Sequence, residues 1–183
     1  RLSALAKGAG MIEPNMATML CFLMTDAAVE SPALQAALNT ATGSSFNRIS
    51  IDGDMSTNDS VMVLANGRAG NAALNPAHPD WPVFLEALKA LTLHLALRIV
   101  ADGEGTSKII TLHVEGACND NDADLFARAI ANSLLVKTAW AGDYPVWSRV
   151  MDVLGYAGPE IDEAKINIFI DDLPVAQGGL NAG

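Results

Sequence analysis

Thr18 is the residue around which chemistry can be built. It follows a loop containing Gly8, Gly10 and a Pro14-Asn15 turn, and it precedes a short apolar run, Met19 to Met24. Glycine permits backbone shapes that other residues avoid, Pro-Asn is turn chemistry, and a short bounded apolar run reads as a buried strand. A hydroxyl at that junction is held still, with a strained peptide bond in front of it. Threonine also opens strands for purely structural reasons, because its branched side chain suits a pleated surface. Position alone leaves both readings open.

The competing nucleophiles lack a base. A Ser-His-Asp arrangement needs a histidine beside the nucleophile. His78 lies in a Pro-flanked loop, His94 inside a helical pattern and His113 inside a strand pattern. Cys21 and Cys118 meet the same objection. Threonine is weak without a base, but an N-terminal Thr carries one, its own α-amine, with an ordinary pKa of about 7.7–8.0. Thr18 acquires that amine if the Ala17–Thr18 bond is cut. Self-cutting is chemically open: the hydroxyl attacks the preceding carbonyl, an ester forms, and water hydrolyses it. A small Ala17 and a strained turn favour that attack.

Two acidic loops invite other chemistry. The stretch Asp52-Gly-Asp-Met-Ser-Thr-Asn-Asp59 is dense in oxygen ligands. A calcium helix–loop–helix site wants Gly at the sixth loop position and Glu at the twelfth, where this chain has Thr57 and Val63. An irregular metal site and a tight turn that bonds its own backbone are the readings left. Glu104 stands between Gly103 and Gly105, presented by backbone rather than packed, and suits a substrate ammonium or a solvated turn. Gly8-Ala9-Gly10 lacks the third glycine and preceding strand of a phosphate loop. A net charge of −10 argues against nucleic-acid binding, which needs clustered Lys and Arg. Two cysteines give neither metal spacing nor a disulfide framework. No apolar run reaches membrane-spanning length and no secretory signal opens the chain, so a cytoplasmic location is expected.

The elements that must position these residues follow from periodicity. Half of the 183 residues are hydrophobic and 17% are charged, which fits one ordered domain of ordinary size. Ser31-Pro32 starts a short helix to about Asn39, with Ser31 as its N-cap. Phe46–Ile51 and Ser60–Ala65 read as strands. Asp80 caps a long helix from Trp81 to about Asp102, on which Phe84, Leu88, Leu91, Leu95 and Ile99 recur at helical spacing. A strand over Lys108–Val114, helices over Asp122–Lys137 and Asp143–Leu154, and a strand over Lys165–Ile170 complete the reading. The class is α/β of the α+β type, a layered mixed β-sheet covered by helices. Half-apolar content with few aromatics and many Ala suggests surface buried against something, another chain being one candidate. The start at Arg1 and the end at Asn181-Ala182-Gly183 are read as those of a fragment or processed product.

Three blocks then carry a resemblance. Lys7-Gly-Ala-Gly-Met-Ile-Glu-Pro-Asn-Met-Ala-Thr-Met-Leu20 closely resembles the self-cleavage region of the ornithine acetyltransferases (glutamate N-acetyltransferases) of arginine biosynthesis. Ser45-Phe-Asn-Arg-Ile-Ser-Ile-Asp-Gly-Asp-Met-Ser-Thr-Asn-Asp59 is a second family block and Asp102-Gly-Glu-Gly105 a third. The resemblance runs along nearly the whole chain. It implies an N-terminal-nucleophile-like sandwich related to the aminopeptidase and ornithine acetyltransferase fold. It further implies a precursor cut at Ala17–Thr18, so that residues 1–17 end an upstream α subunit and residues 18–183 form most of a one-domain β subunit.

By the same resemblance Thr18 is the nucleophile, and Lys7 and Glu104 bind substrate. The implied reaction takes the acetyl group of N-acetylornithine onto Thr18 and passes it to glutamate, without metal or bound cofactor. Some members also accept acetyl-CoA. The implied assembly is a heterotetramer of two α and two β subunits. The family's oxyanion-hole Thr-Gly pair lies on the upstream subunit, and its C-terminal substrate residues lie beyond Gly183. Gly142-Asp-Tyr-Pro-Val-Trp-Ser-Arg149 departs from the family's Asp-Pro-Asn-Trp-Gly-Arg at Tyr144, Val146 and Ser148. The competing readings are an acyltransferase or aminopeptidase of the same fold with other substrates, and a non-catalytic metal-binding module built on Asp52–Asp59.

Overall fold

The computed structural model describes residues 1–13, 19–144 and 146–182, and the chain divides into two compact units, Arg1–Ile109 and Ile110–Gly183. The first unit is built on a three-stranded sheet of β1 (Leu2–Lys7), β2 (Leu20–Thr25) and β3 (Ser60–Ala65), in that order. β1 runs antiparallel to β2, and β3 runs parallel to it, so the sheet is mixed as expected. Alternation sets the two faces. Cys21 and Leu23 point into the core and are fully buried, whereas Leu5, Met24, Met62 and Leu64 on the other face are exposed.

Two helices cover the inner face. α1 (Ser31–Gly43) buries Ala33, Ala37, Leu38 and Ala41 at three- and four-residue spacing, and its small side chains allow close approach to α2 (Trp81–Ala101). α2 buries Phe84, Leu88, Thr92, Ala96 and Ile99 along one stripe and lies over β1. The hydroxyl of the fully buried Thr92 donates within its own helix to the Leu88 carbonyl at 3.1 Å, so its burial leaves no unpaired donor. Glu30 occupies the N-cap of α1 and Ser31 is already helical, one residue from the expected boundary. The helix also outruns its expected end at Asn39. Asp80 does cap α2, but through its backbone carbonyl, which accepts from Phe84 N–H, and not through its side chain.

Several expected elements differ. Phe46–Arg48 is a 3₁₀ turn rather than part of a strand: Phe46 is buried beneath α1, and Ser45 Oγ donates to the Ala41 carbonyl at 2.6 Å, tying the turn to the helix end. Lys108–Val114 joins no sheet, because alternation makes a chain extended but a strand also needs a neighbouring edge. β1 was not expected; its inward Ala4 and Ala6 are too small to give a strong hydrophobic signal.

The second unit holds α3 (Asp120–Asn132), α4 (Leu134–Ala141) and α5 (Trp147–Tyr156), packed around Ile130, Val136 and Val153. Ser133 splits the single helix expected over 122–137: its hydroxyl accepts from Val136 N–H at 3.3 Å and caps α4 instead of continuing α3. α5 starts later than expected, after Asp143 in a left-handed conformation (φ 56°). A small antiparallel sheet of β4 (Ile168–Ile170), β5 (Leu173–Gln177) and β6 (Leu180–Asn181) closes the unit, and Glu163–Lys165 ahead of it is a 3₁₀ turn. No helix among the described residues is long and apolar enough to cross a membrane.

Candidate active site

Lys7 ends β1 directly opposite Leu20, and Leu20 in turn faces Ser60. Lys7, Leu20 and Ser60 thus form the last row of the sheet. Lys7 is exposed there on the uncovered face, as its place in the alternation of β1 requires. Beyond this row the ladder is prolonged by a side chain. Met19 N–H donates to Asp59 Oδ1 at 2.6 Å, and the Met19 carbonyl accepts from Ser60 N–H at 3.0 Å. Both peptide units of Met19 are fixed to the start of β3. Ala17 and Thr18, the expected cleavage point and nucleophile, lie outside the described residues.

The chain leaving Lys7 brings Glu104 close. Glu104 N–H donates to the Ala9 carbonyl at 2.9 Å, which joins the loop after α2 to the loop after β1. Gly10 lies against the Glu104 carboxyl: a Cβ there would sit 3.3 Å from Glu104 Cδ and Oε1. Gly105 adopts φ 67°, the left-handed turn conformation that glycine accepts without cost. The expectation of a carboxylate presented on a glycine turn matches the exposed Glu104 side chain.

Two carboxylates that sequence spacing assigned to a metal loop or local turn bond backbone far away in the chain. Asp52 Oδ2 accepts from Met11 N–H at 2.6 Å, and Asp52 Oδ1 accepts from Ile12 N–H and Asp54 N–H, each at 3.0 Å. The Ile12 carbonyl accepts from Ile51 N–H at 2.8 Å. Met11 is held at φ 56°, a conformation that costs a non-glycine residue about 1 kcal/mol or more. Asp52 and Asp59 therefore grip the chain at 11–12 and at 19. The local-turn reading holds for Asp54 N–H, and for Asn58 N–H, which donates to Ser56 Oγ at 3.2 Å. Nothing in the spacing points to the longer reach. Among the described residues, no three His, Cys, Asp or Glu side chains converge as a metal site requires.

The two acids are tuned oppositely. Burial pushes the Asp52 carboxyl up, but the N–H groups of Asp54, Met11 and Ile12 together outweigh it and hold the group below its ordinary value. Burial pushes the Asp59 carboxyl above its ordinary value, against the Met19 N–H and the positive charge of Lys7. Asp59 also borders a cavity of about 240 Å³ between the sheet end and α1, shared with Ile12, Glu13, Met19, Asn39 and Phe46. In the second unit, Arg149 of the departing block donates to the Leu135 carbonyl at 2.7 Å, and Tyr144 is exposed.

The family model described as "ArgJ family" matches residues 1–183. The chain is 48% identical over 178 residues to the "Arginine biosynthesis bifunctional protein ArgJ" of Symbiobacterium thermophilum, covering 97% of this chain and 44% of that protein. The Bacillus subtilis protein of the same name is 48% identical over 165 residues, covering 90% of this chain and 41% of the relative. The crystal structure of arginine biosynthesis bifunctional protein argJ from Bacillus halodurans superposes with a TM-score of 0.84 at 42% identity, covering 88% of this chain and 76% of that one. The chain spans less than half the length of these curated relatives.

Proposed function

The chain belongs to the ArgJ family, and from that premise we propose that it carries the nucleophile and part of the substrate site of a self-cleaving ornithine acetyltransferase of arginine biosynthesis. Cutting at Ala17–Thr18 gives Thr18 a free α-amine, which takes the proton of its own hydroxyl. Thr18 Oγ then attacks the acetyl carbonyl of N-acetylornithine. The C–N bond breaks, the departing amine receives the proton, and ornithine leaves an acetyl ester on Thr18. The α-amine of glutamate attacks that ester, the C–O bond breaks, and Oγ regains a proton.

Residues 1–17 end the upstream subunit and residues 18–183 belong to the downstream one, the two pairing as a heterotetramer in the cytoplasm. Lys7 offers a compact cation to a substrate carboxylate, and Glu104 offers a carboxylate to a substrate ammonium. No metal or bound cofactor enters the scheme, and acetyl-CoA is an alternative donor. The observation that carries the reading is the gathering, at one end of the sheet, of Lys7, the Glu104 loop and the fixed amide of Met19, the residue after Thr18.

The test is steady-state kinetics of Glu104→Ala in the full-length protein. KM for N-acetylornithine should rise at least tenfold while precursor cutting proceeds. Unchanged kinetics would remove Glu104 from the site.

A further inference from the structure

We propose that Asp52 is a positioning residue for Glu104: its carboxylate fixes the loop after β1 in the shape that backs the Glu104 carboxyl. This rests on the reading of Glu104, given above, as the group that receives a substrate ammonium. Asp52 Oδ2 accepts from Met11 N–H at 2.6 Å and Oδ1 from Ile12 N–H at 3.0 Å, both charge-assisted bonds. Ile51 N–H donates to the Ile12 carbonyl at 2.8 Å, so residues 51 and 52 hold residues 11 and 12 from both sides of the peptide. The residue before Met11 is Gly10, and a Cβ there would meet Glu104 Cδ and Oε1 at 3.3 Å and Oε2 at 3.5 Å. The whole carboxyl group therefore rests against the Gly10 backbone.

Met11 sits at φ 56°, a region that a residue other than glycine leaves unless its surroundings hold it there. The Met11 N–H is the very group that Asp52 Oδ2 accepts from, so the carboxylate supplies that hold. Released, residue 11 returns toward an ordinary φ and carries Gly10 away from Glu104. Glu104 has little else to fix it. Its side chain is exposed, and among the described residues its carboxyl has no hydrogen-bond or ion-pair partner. Its N–H donates to the Ala9 carbonyl at 2.9 Å, on the same loop. A second contact joins the same segments: a Cβ on Gly103 would meet Ile51 Cδ1 at 3.0 Å, so the side chain before Asp52 supports the turn that carries Glu104. An exposed glutamate loses rotamer freedom when it binds an ammonium, and a backing surface lowers that cost before substrate arrives.

Asp52→Asn keeps one acceptor oxygen and turns the other into a donor, which costs the loop part of its grip. Full-length wild type, Asp52→Asn, Glu104→Ala and the double variant are compared for precursor cutting, melting temperature, and kcat and KM for N-acetylornithine. The proposal expects Asp52→Asn to raise KM about fivefold with kcat changed less than about twofold, the pattern of lost substrate binding. Precursor cutting should proceed. In the Glu104→Ala background the same substitution should leave KM unchanged, because two residues acting through one group are not additive. Asp52→Glu, which restores the charge at altered reach, should recover part of the wild-type KM; where Asp52→Asn fails to fold, the cycle is read on Asp52→Glu. An unchanged KM in Asp52→Asn, or the same rise with and without Glu104, overturns the proposal and leaves Asp52 a clamp of the fold alone. If Glu104→Ala itself leaves KM unchanged, or the wild type transfers no acetyl group, the reading of Glu104 is overturned, and this proposal with it.

Discussion

The two ends of the 52–59 loop carry the same functional group and use it under different conditions. At one end Asp52 is exposed, accepts three backbone N–H groups and is held below its ordinary pKa. At the other, Asp59 is half-buried, accepts from the Met19 amide beside the Lys7 charge, and is pushed above it. The first arrangement is that of a structural clamp, in which many donors stabilise a charge that water also reaches. In the second, burial outweighs the Met19 amide and the Lys7 charge, the condition under which a carboxylate becomes sensitive to its surroundings. An acid-rich loop thus need not be a cation site: backbone amides absorb its negative charge.

The contrast is sharpest in side-chain removal. Asp59→Ala leaves the half-buried Met19 amide without its charged acceptor and should cost about 2 kcal/mol of stability, read from urea unfolding. Asp52→Ala removes more bonds, but water reaches the site and replaces them in part. Its cost should be about 1 kcal/mol. A larger loss at Asp52 than at Asp59 would reverse the assignment of clamp and tuned acid.

Acid titration separates the ends by sign. Asp52, with a lowered folded pKa, contributes stability that is present above the unfolded value and lost as pH falls through the folded one. Asp59, with a raised folded pKa, holds a proton that the unfolded chain has already released. Its contribution is full below the unfolded value and declines as pH rises through the folded one. Melting of wild type relative to each Asn variant, followed from about pH 7 to about pH 3, should therefore diverge in opposite directions. Parallel curves would break the comparison.

A smaller effect is expected where an acid is held through its backbone. Gly10→Ala brings a methyl to 3.3 Å from Glu104 Oε1, so the exposed carboxylate shifts by a few tenths of an ångström. KM for N-acetylornithine should rise a few-fold with the melting temperature unchanged. An unchanged KM would show that the carboxylate accommodates the methyl without loss.

Elements with strong local signals were legible in the sequence. β3 spans Ser60–Ala65 as read, and α2 ends one residue before the expected Asp102, because unbroken apolar patterns with clear stops fix them. Ser133 shows what pattern reading misses: the periodicity of 122–137 continues through it, but its hydroxyl prefers to cap a new helix. Lys7 and Glu104 were singled out by motif, and the place of Lys7 at the sheet end, with the Glu104 loop bonded to Ala9 just beyond it, follows from β1, which was not read. The grips of Asp52 on 11–12 and of Asp59 on 19 span about forty residues, and no local rule encodes a bond of that length.

The central claim is that Thr18 becomes an N-terminal nucleophile, and intact-mass analysis with N-terminal sequencing of the expressed full-length precursor tests it most directly. The account predicts a new chain beginning at Thr18 in the wild type and its absence in Thr18→Ala, which should also transfer no acetyl group. An uncut precursor that still moved acetyl groups to glutamate would contradict it.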